Sequence, residues 1–325
     1  VIARGQLTIA SVLRAQGYRT AMVGKWHQGF TMKAPGVFDY ERPLTGGPVD
    51  CGFDSFFGMH ASLDIPPYFY IKDRTPVMAP TGTVDDNTSV GGQENWNKIQ
   101  GAFWRAGDVA PDFKHAEVTP RFAAEAVKVI ESHDGKKPLF LYLALPSPHT
   151  PWLPTRKFIG RSNAGMYGDF MMQVDHVIGQ VMGSLEKAGM SDNTLLIFSS
   201  DNGPVWYDKD TKRFGHRSSG SLRGIKGSVW EGGHRVPFIA HWPSRIKAGA
   251  RSDHTIAFAD ALATFANAAG RGELPKDMAE DSVGFLPVLL HPGRKHPPRP
   301  PILHEGKVIR DGDWKLISTR GGRGF

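Results

Sequence analysis

The segment Thr194–Gly203, TLLIFSSDNG, constrains the fold more than any other stretch of the chain. Leu195, Leu196, Ile197 and Phe198 make an apolar run too short for a helix and of the right length for a buried strand. Ser199, Ser200, Asp201, Asn202 and Gly203 then end it with turn-forming residues. A carboxylate and an amide oxygen therefore stand side by side where a strand leaves its sheet. In open α/β sheets that carboxyl end is where ligands bind. Oxygen donors of this kind suit a hard cation such as Ca2+ or Mg2+, although an isolated Asp-Asn-Gly is equally a plain turn. What separates the two readings is what else falls after strands.

Two further strands deliver chemistry-bearing residues in the same way. Thr8–Gln16 reads as a short amphipathic helix capped by Thr8 and stopped by Gly17, followed by a strand over Tyr18–Gly24. That strand runs into Gly24-Lys25-Trp26-His27, and the two-residue spacing turns Lys25 and His27 to one side of an extended segment. A loop anchored by Trp26 is the simpler alternative. Pro138–Leu145 is apolar on both faces, as a central parallel strand covered by helices would be. It ends in Pro146-Ser147-Pro148-His149-Thr150-Pro151, where prolines stiffen the backbone around His149.

The rest of the pattern supplies the scaffold. Thr119-Pro120 predicts the start of a helix, with Thr119 as cap. Met166–Ala188 predicts the longest helix, buried through Phe170, Val174, Val177, Ile178, Val181 and Leu185, with Asp175 and His176 on its solvated side. Strands are expected at Val236–Trp242 and Pro301–His304, a helix at Ile256–Ala269, and a hairpin over Val308–Ile317 turning at Asp311-Gly312-Asp313. Asp39–His60 and Tyr68–Ala116 read as irregular loop, the second carrying Trp96, Phe103 and Trp104. The alternation indicates an α/β fold: a mostly parallel sheet covered by helices on both faces, with the start of a small antiparallel C-terminal sheet. Lys25, His27, His149, Asp201 and Asn202 all fall just after strands, which points to an active site.

Composition narrows the partners. The 325 residues, 40% of them hydrophobic, are enough for one large domain. A net charge of +7 favours anionic partners, including sulfated or phosphorylated substrates. No run of five or six basic residues marks a nucleic-acid arm, so no nucleic acid is expected as a partner. No apolar run reaches membrane-spanning length, so no membrane span is expected. Cys51 is the single cysteine, which excludes an intramolecular disulfide and a CxxC zinc site. The chain begins at Val1 and enters a helix pattern at once, so it reads as a fragment with its N-terminal part missing.

Taken together, GYRTAMVGKWHQG (Gly17–Gly29), PHTPWLP (Pro148–Pro154), SDNG (Ser200–Gly203) and LRGIKGSVWEGGHRVPFIAHWP (Leu222–Pro243) resemble the type I sulfatases of the alkaline-phosphatase superfamily. RDGDWKL resembles the start of that family's C-terminal sheet subdomain. The resemblance implies a sulfatase domain over 1–296 and a C-terminal subdomain beginning over 297–325. It implies cleavage of a sulfate ester of a small molecule or glycan, with Asp201 and Asn202 as ligands of Ca2+ or Mg2+. Lys226 would contact the sulfate and stabilise the leaving oxygen, and His149 would bind sulfate and act as general acid. Lys25 and His27 would orient a formylglycine hydrate, His27 later removing a proton to release sulfate. A formylglycine-generating maturation enzyme and a periplasmic or secreted location follow from the same resemblance.

The chain departs from the family in two respects. No C/S-x-P-S/A-R modification motif precedes Lys25, and the paired aspartates that complete the metal site upstream are absent. Cys51, in VDCGF, lacks the required Pro and Arg, and in HWPSR a histidine, His241, holds the modifiable position ahead of Ser244. The formylglycine is therefore expected in a missing upstream segment, and the chain as given is expected to be inactive. Trp96, Trp104, His216 and Arg217 are candidate substrate-rim residues because they lie on loops. Two alternatives stand beside sulfate hydrolysis: a phosphodiesterase or phosphonate monoester hydrolase on the same scaffold, and a noncatalytic sulfoglycan-binding remnant.

Overall fold

A computed structural model describes residues 2–3, 5–32, 34, 36–272, 274–275, 277–304 and 307–318. The chain divides into two compact units, Val1–Gly189 and Met190–Phe325. In the first, Thr8 caps α1 (Ile9–Ala15) by accepting from the Ser11 amide, and the Ser11 hydroxyl closes the reciprocal bond. The strand β1 (Arg19–Lys25) follows, buried along nearly its whole length. It pairs in parallel with β2 (Ser55–Met59) on one side and β7 (Leu139–Ala144) on the other. The short strands β3 (Ile71–Lys72) and β4 (Thr75–Pro76) extend the sheet antiparallel beyond β2, giving the order β4-β3-β2-β1-β7. Another antiparallel pair, β5 (Gly82–Val84) with β6 (Gly107–Val109), lies outside it.

Several expectations for this unit are corrected. Asp39–His60 is not all loop, because Ser55–Met59 is β2; it is buried from Phe56 to Met59, so it lacks the alternation that would have marked a half-exposed strand. The stretch Tyr68–Ala116 is likewise not all loop, because it carries β3, β4, β5 and β6. Tyr68, Phe69, Tyr70 and Ile71 are among the most buried residues of the chain. Furthermore, β7 lies at an end of its sheet rather than its centre, and Tyr142 on it is exposed.

The helices match their periodicity. In α2 (Val118–Glu131) Phe122, Ala123, Ala126 and Ile130 are buried, but the helix starts a turn-position earlier than expected, with Glu117 at its cap. Thr119 is inside the first turn and its hydroxyl bonds Ser147 instead. The helix α3 (Gly165–Lys187) buries Phe170, Val174, Val177, Val181 and Leu185, and it packs on α2. Its Asp169, 4% exposed, accepts from the amides of Gly160, Arg161 and Ser162 and so fixes the loop that enters the helix.

In the second unit β8 (Leu196–Ser199) precedes α4 (Asp208–Phe214) and the single turn α5 (Glu231–His234). Its partner is β9 (Phe238–His241), and the pairing is antiparallel. Next come α6 (Ala261–Ala268) and α7 (Leu286–Leu290). Asp260, 1% exposed, takes both arms of Arg299 at 2.8 Å and the Val283 amide, which clamps the start of α6 to the segment leading out of α7. The antiparallel sheet β10 (Ile302–His304), β11 (Val308–Asp311) and β12 (Trp314–Ile317) ends the described chain, and its hairpin turns at Gly312 and Asp313 as expected.

Candidate active-site loops

In the first unit the chain leaves β1 still in register with β2. The amides of Trp26 and His27 donate to the carbonyls of Met59 and His60, each at 3.0 Å. Gly24 permits this crowding: its φ is +123°, and a Cβ there would overlap the Ala144 carbonyl. Trp26 is buried at 7% exposure and its indole donates to the Gly29 carbonyl at 2.8 Å, so it does anchor the loop. Lys25 is half-buried at the strand end and His27 is exposed with φ +56°. Beside them, burial drives His60 down to about 4; the Nε2 bond to the Pro67 carbonyl opposes this, and the charge of His27 adds to it. His60 is thus a neutral donor at neutral pH.

The loop after β7 holds His149 from several directions. Ser147 bonds Thr119 of α2, the Thr150 hydroxyl and the Trp152 amide both donate to the Gly101 carbonyl, and the Trp152 indole donates to the Pro148 carbonyl at 2.9 Å. Trp96 packs edge-on against Trp152 at 5.0 Å. His149 Nδ1 lies 2.7 Å from the Thr150 carbonyl, 3.3 Å from Ser62 Oγ and 3.8 Å from Asp64 Oδ1. The other oxygen of Asp64 meets Arg105 at 2.5 Å. Ser62, Asp64 and Arg105 carry no motif and were not singled out from the sequence.

In the second unit Asp201 and Asn202 follow β8 directly. The Asn202 Nδ2 donates to the Gly203 carbonyl at 3.0 Å, which leaves Oδ1 as an acceptor. Gly203 lies so close to Gly232 that a Cβ would overlap the Gly232 carbonyl, and its amide donates to the Gly233 carbonyl at 2.9 Å. The Lys226 amide donates to the Pro204 carbonyl at 3.0 Å, and the Gly232 amide to the Arg223 carbonyl at 2.7 Å. Thus SDNG, Lys226 and WEGG are knitted into one loop system. Glu231 ties that system to the terminal sheet by accepting from Lys315 at 2.7 Å and Arg310 at 3.1 Å. Burial would raise its carboxyl, but the Lys315 hydrogen bond and charge, with Arg310 and His234, hold it below its ordinary value.

Asp201 and Asn202 offer two hard oxygen donors, which fit part of the shell of Ca2+ or Mg2+. Among the described residues no group of three or more His, Cys, Asp or Glu side chains is placed to hold a metal. Burial and then Asp50 raise the Cys51 thiol, the opposite of what activates a nucleophilic cysteine. Of the rim candidates, Trp96 is corrected to a packing residue, being 2% exposed with its indole bonded to Glu94. Trp104 is half-buried, stacked on His115 at 4.6 Å with its indole on the Asp85 carbonyl. His216 and Arg217 are exposed, and the His216 carbonyl accepts from the Trp206 indole at 2.9 Å.

The family model described as Sulfatase matches residues 1–271. An N-acetylgalactosamine-6-O-sulfatase of Bacteroides thetaiotaomicron is 32% identical, over 96% of this chain and 66% of that protein. Human arylsulfatase D is 30% identical, over 87% of this chain and 53% of its own length. The chain therefore spans from about half to just under two thirds of these curated relatives. A solved structure described under the metabolism of multiple glycosaminoglycans by Bacteroides thetaiotaomicron superposes with a TM-score of 0.82 at 29% identity, covering 98% of this chain and 72% of that one. A sulfatase from Pseudoalteromonas sp. gives 0.69 at 25% identity, covering 96% and 60%. A family match across most of the chain means that this chain belongs to the sulfatase family.

Proposed function

We propose that this chain is the body of an enzyme that hydrolyses sulfate esters of carbohydrates or aryl alcohols. The observation that supports the reading is the backbone bond from the Lys226 amide to the Pro204 carbonyl, which ties the segment bearing Lys226 to the loop that follows β8. A sulfate monoester is anionic and must be neutralised before attack, which fixed cations do as preorganised electrostatics. Lys226 contacts the sulfate and steadies the leaving oxygen. His149 protonates that oxygen, since an alkoxide is a poor leaving group. Lys25 and His27 orient the attacking group at the end of β1. Asp201 and Asn202 hold Ca2+ or Mg2+, which when bound supplies electrophilic neutralisation of the ester.

Sulfatases generally depend on formylglycine, and the C/S-x-P-S/A-R motif from which it forms is not in this sequence. In this reading residues 1–296 form the sulfatase domain, 297–325 begin a C-terminal subdomain, and the partners are a sulfated glycan or small molecule and a maturation enzyme in a periplasmic or secreted setting. No helix among the described residues is long and apolar enough to cross a membrane.

The test joins this chain behind an upstream segment bearing paired aspartates and C-x-P-S-R, co-expressed with the formylglycine-generating machinery. Release of sulfate from an activated aryl sulfate is expected, with Lys226→Ala lowering kcat/KM about 100-fold or more, as for loss of one preorganised charge donor. Equal rates in wild type and Lys226→Ala would remove the lysine from the mechanism.

A further inference from the structure

We infer that Asp64 is a positioning residue that keeps His149 doubly protonated, and that Arg105 sets how strongly it does so. The inference rests on the reading of His149 as general acid and adds the group that makes it one. A carbonyl oxygen only accepts hydrogen bonds, so the 2.7 Å contact with the Thr150 carbonyl fixes a proton on His149 Nδ1. With Nδ1 protonated, a proton can leave from Nε2 only if the ring is imidazolium. That form carries a positive charge, and it sits on a side chain only 31% exposed.

The matching negative charge is at hand. Asp64 Oδ1 lies 3.8 Å from Nδ1 on a side chain 7% exposed, and this oxygen is buried without a hydrogen-bond partner. A buried acceptor left in that state is costly, and attraction to the imidazolium offsets the cost. Asp64 Oδ2 is taken by the Arg105 guanidinium, which also donates to the Asp64 carbonyl at 3.0 Å. Arg105 is in turn positioned by Tyr68, whose hydroxyl donates to the Arg105 carbonyl at 2.7 Å. The charged and titratable groups that face this arrangement include Asp64, Arg105 and the Tyr68 phenol, with Ser62 as a neutral neighbour of Nδ1. Arg105 fixes the carboxylate and takes up part of its charge, so the two residues act on His149 with opposite sign.

In hydrolysis the S–O bond breaks with its electron pair left on the ester oxygen. The Nε2 proton of His149 passes to that oxygen, giving the alcohol and a neutral ring still protonated at Nδ1. Water supplies the oxygen that completes the released sulfate, one proton that restores the imidazolium and a second that passes to solvent. Throughout, Asp64 keeps its charge and exchanges no proton.

The experiment follows the His149 Cε1–H resonance against pH by NMR in this chain, assigned with His149→Gln. Asp64→Asn is expected to weaken proton binding at His149 about tenfold or more, and Arg105→Gln to strengthen it. A merely structural role would not move the two in opposite directions. An unchanged His149 titration in folded Asp64→Asn overturns the inference. Should Asp64→Asn not fold, Arg105→Gln decides alone: a rise supports the coupling and no change overturns it. This readout needs no turnover, so it is separable from failure of sulfate hydrolysis itself. In the completed enzyme, Asp64→Asn should slow a sugar sulfate at least tenfold more than an activated aryl sulfate, whose leaving group needs little protonation. An equal loss on both substrates would argue against the general-acid role.

Discussion

Single residues carry both the chemistry and part of the acid sensitivity of the chain. His60 is pushed down to about 4, and His115, buried among Tyr68, Trp104 and Phe113, also to about 4 by burial. Each lies below the ordinary histidine value of 6.5, so the unfolded chain binds the extra proton first. The stability that each neutral ring contributes is complete above pH 6.5 and is lost as pH falls toward 4, up to roughly 3 kcal/mol per ring. Urea unfolding of His60→Gln at pH 7 and pH 5 should show a smaller difference than wild type; an identical difference would deny the linkage. The residues that follow strands, Lys25, His27, His149, Asp201 and Asn202, were legible because a strand end is a local pattern. Asp64 and Arg105 were not, because their contact spans 41 residues and contacts of that kind leave no periodic mark.

At the scale of elements, two loops depend on partners that lie far along the chain. Trp96, which the sequence offers either as a stacking residue or as a pin for its loop, packs on Trp152 and through it supports the His149 loop. Trp96→Ala should cost about 3–5 kcal/mol in a denaturant titration, as loss of a large core aromatic does; a cost below 1 kcal/mol, with glycan affinity reduced instead, would return it to the rim. In the second unit Glu231 holds the WEGG turn on Lys315 and Arg310 of the terminal sheet. Its carboxyl is held below its ordinary 4.5, so that contribution is complete above about pH 4.5 and fades as pH falls through the lower folded value. Glu231→Gln should destabilise by about 1–3 kcal/mol at pH 7 and remove this acid limb. The strands β1, β7 and β8 could be read from apolar runs, whereas β2 could not. Its burial on both faces and its Phe-Phe-Gly core look like a packed loop until β1 is placed beside it.

For the whole molecule, the family and the α/β class were legible because four motifs keep their order and spacing across 325 residues. The antiparallel partner of β8 was not, since strand direction is set by the chain between β8 and β9 rather than by either strand. In the proposed reading Asp201 and Asn202 would supply only part of a cation shell, so calorimetric titration of this chain with Ca2+ should give weak heat at most, abolished in Asp201→Ala. A tight one-to-one site would mean that other residues complete it. The central claim, sulfate ester hydrolysis, is tested most directly by comparing kcat/KM for matched aryl sulfate and aryl phosphodiester substrates in the completed, formylglycine-bearing polypeptide. The account predicts at least a 100-fold preference for the sulfate, lost together with turnover in Lys226→Ala and His149→Ala, as removal of charge donor and proton donor requires. Faster cleavage of the phosphodiester, or no cleavage of either beside tight binding of a sulfated glycan, would contradict it.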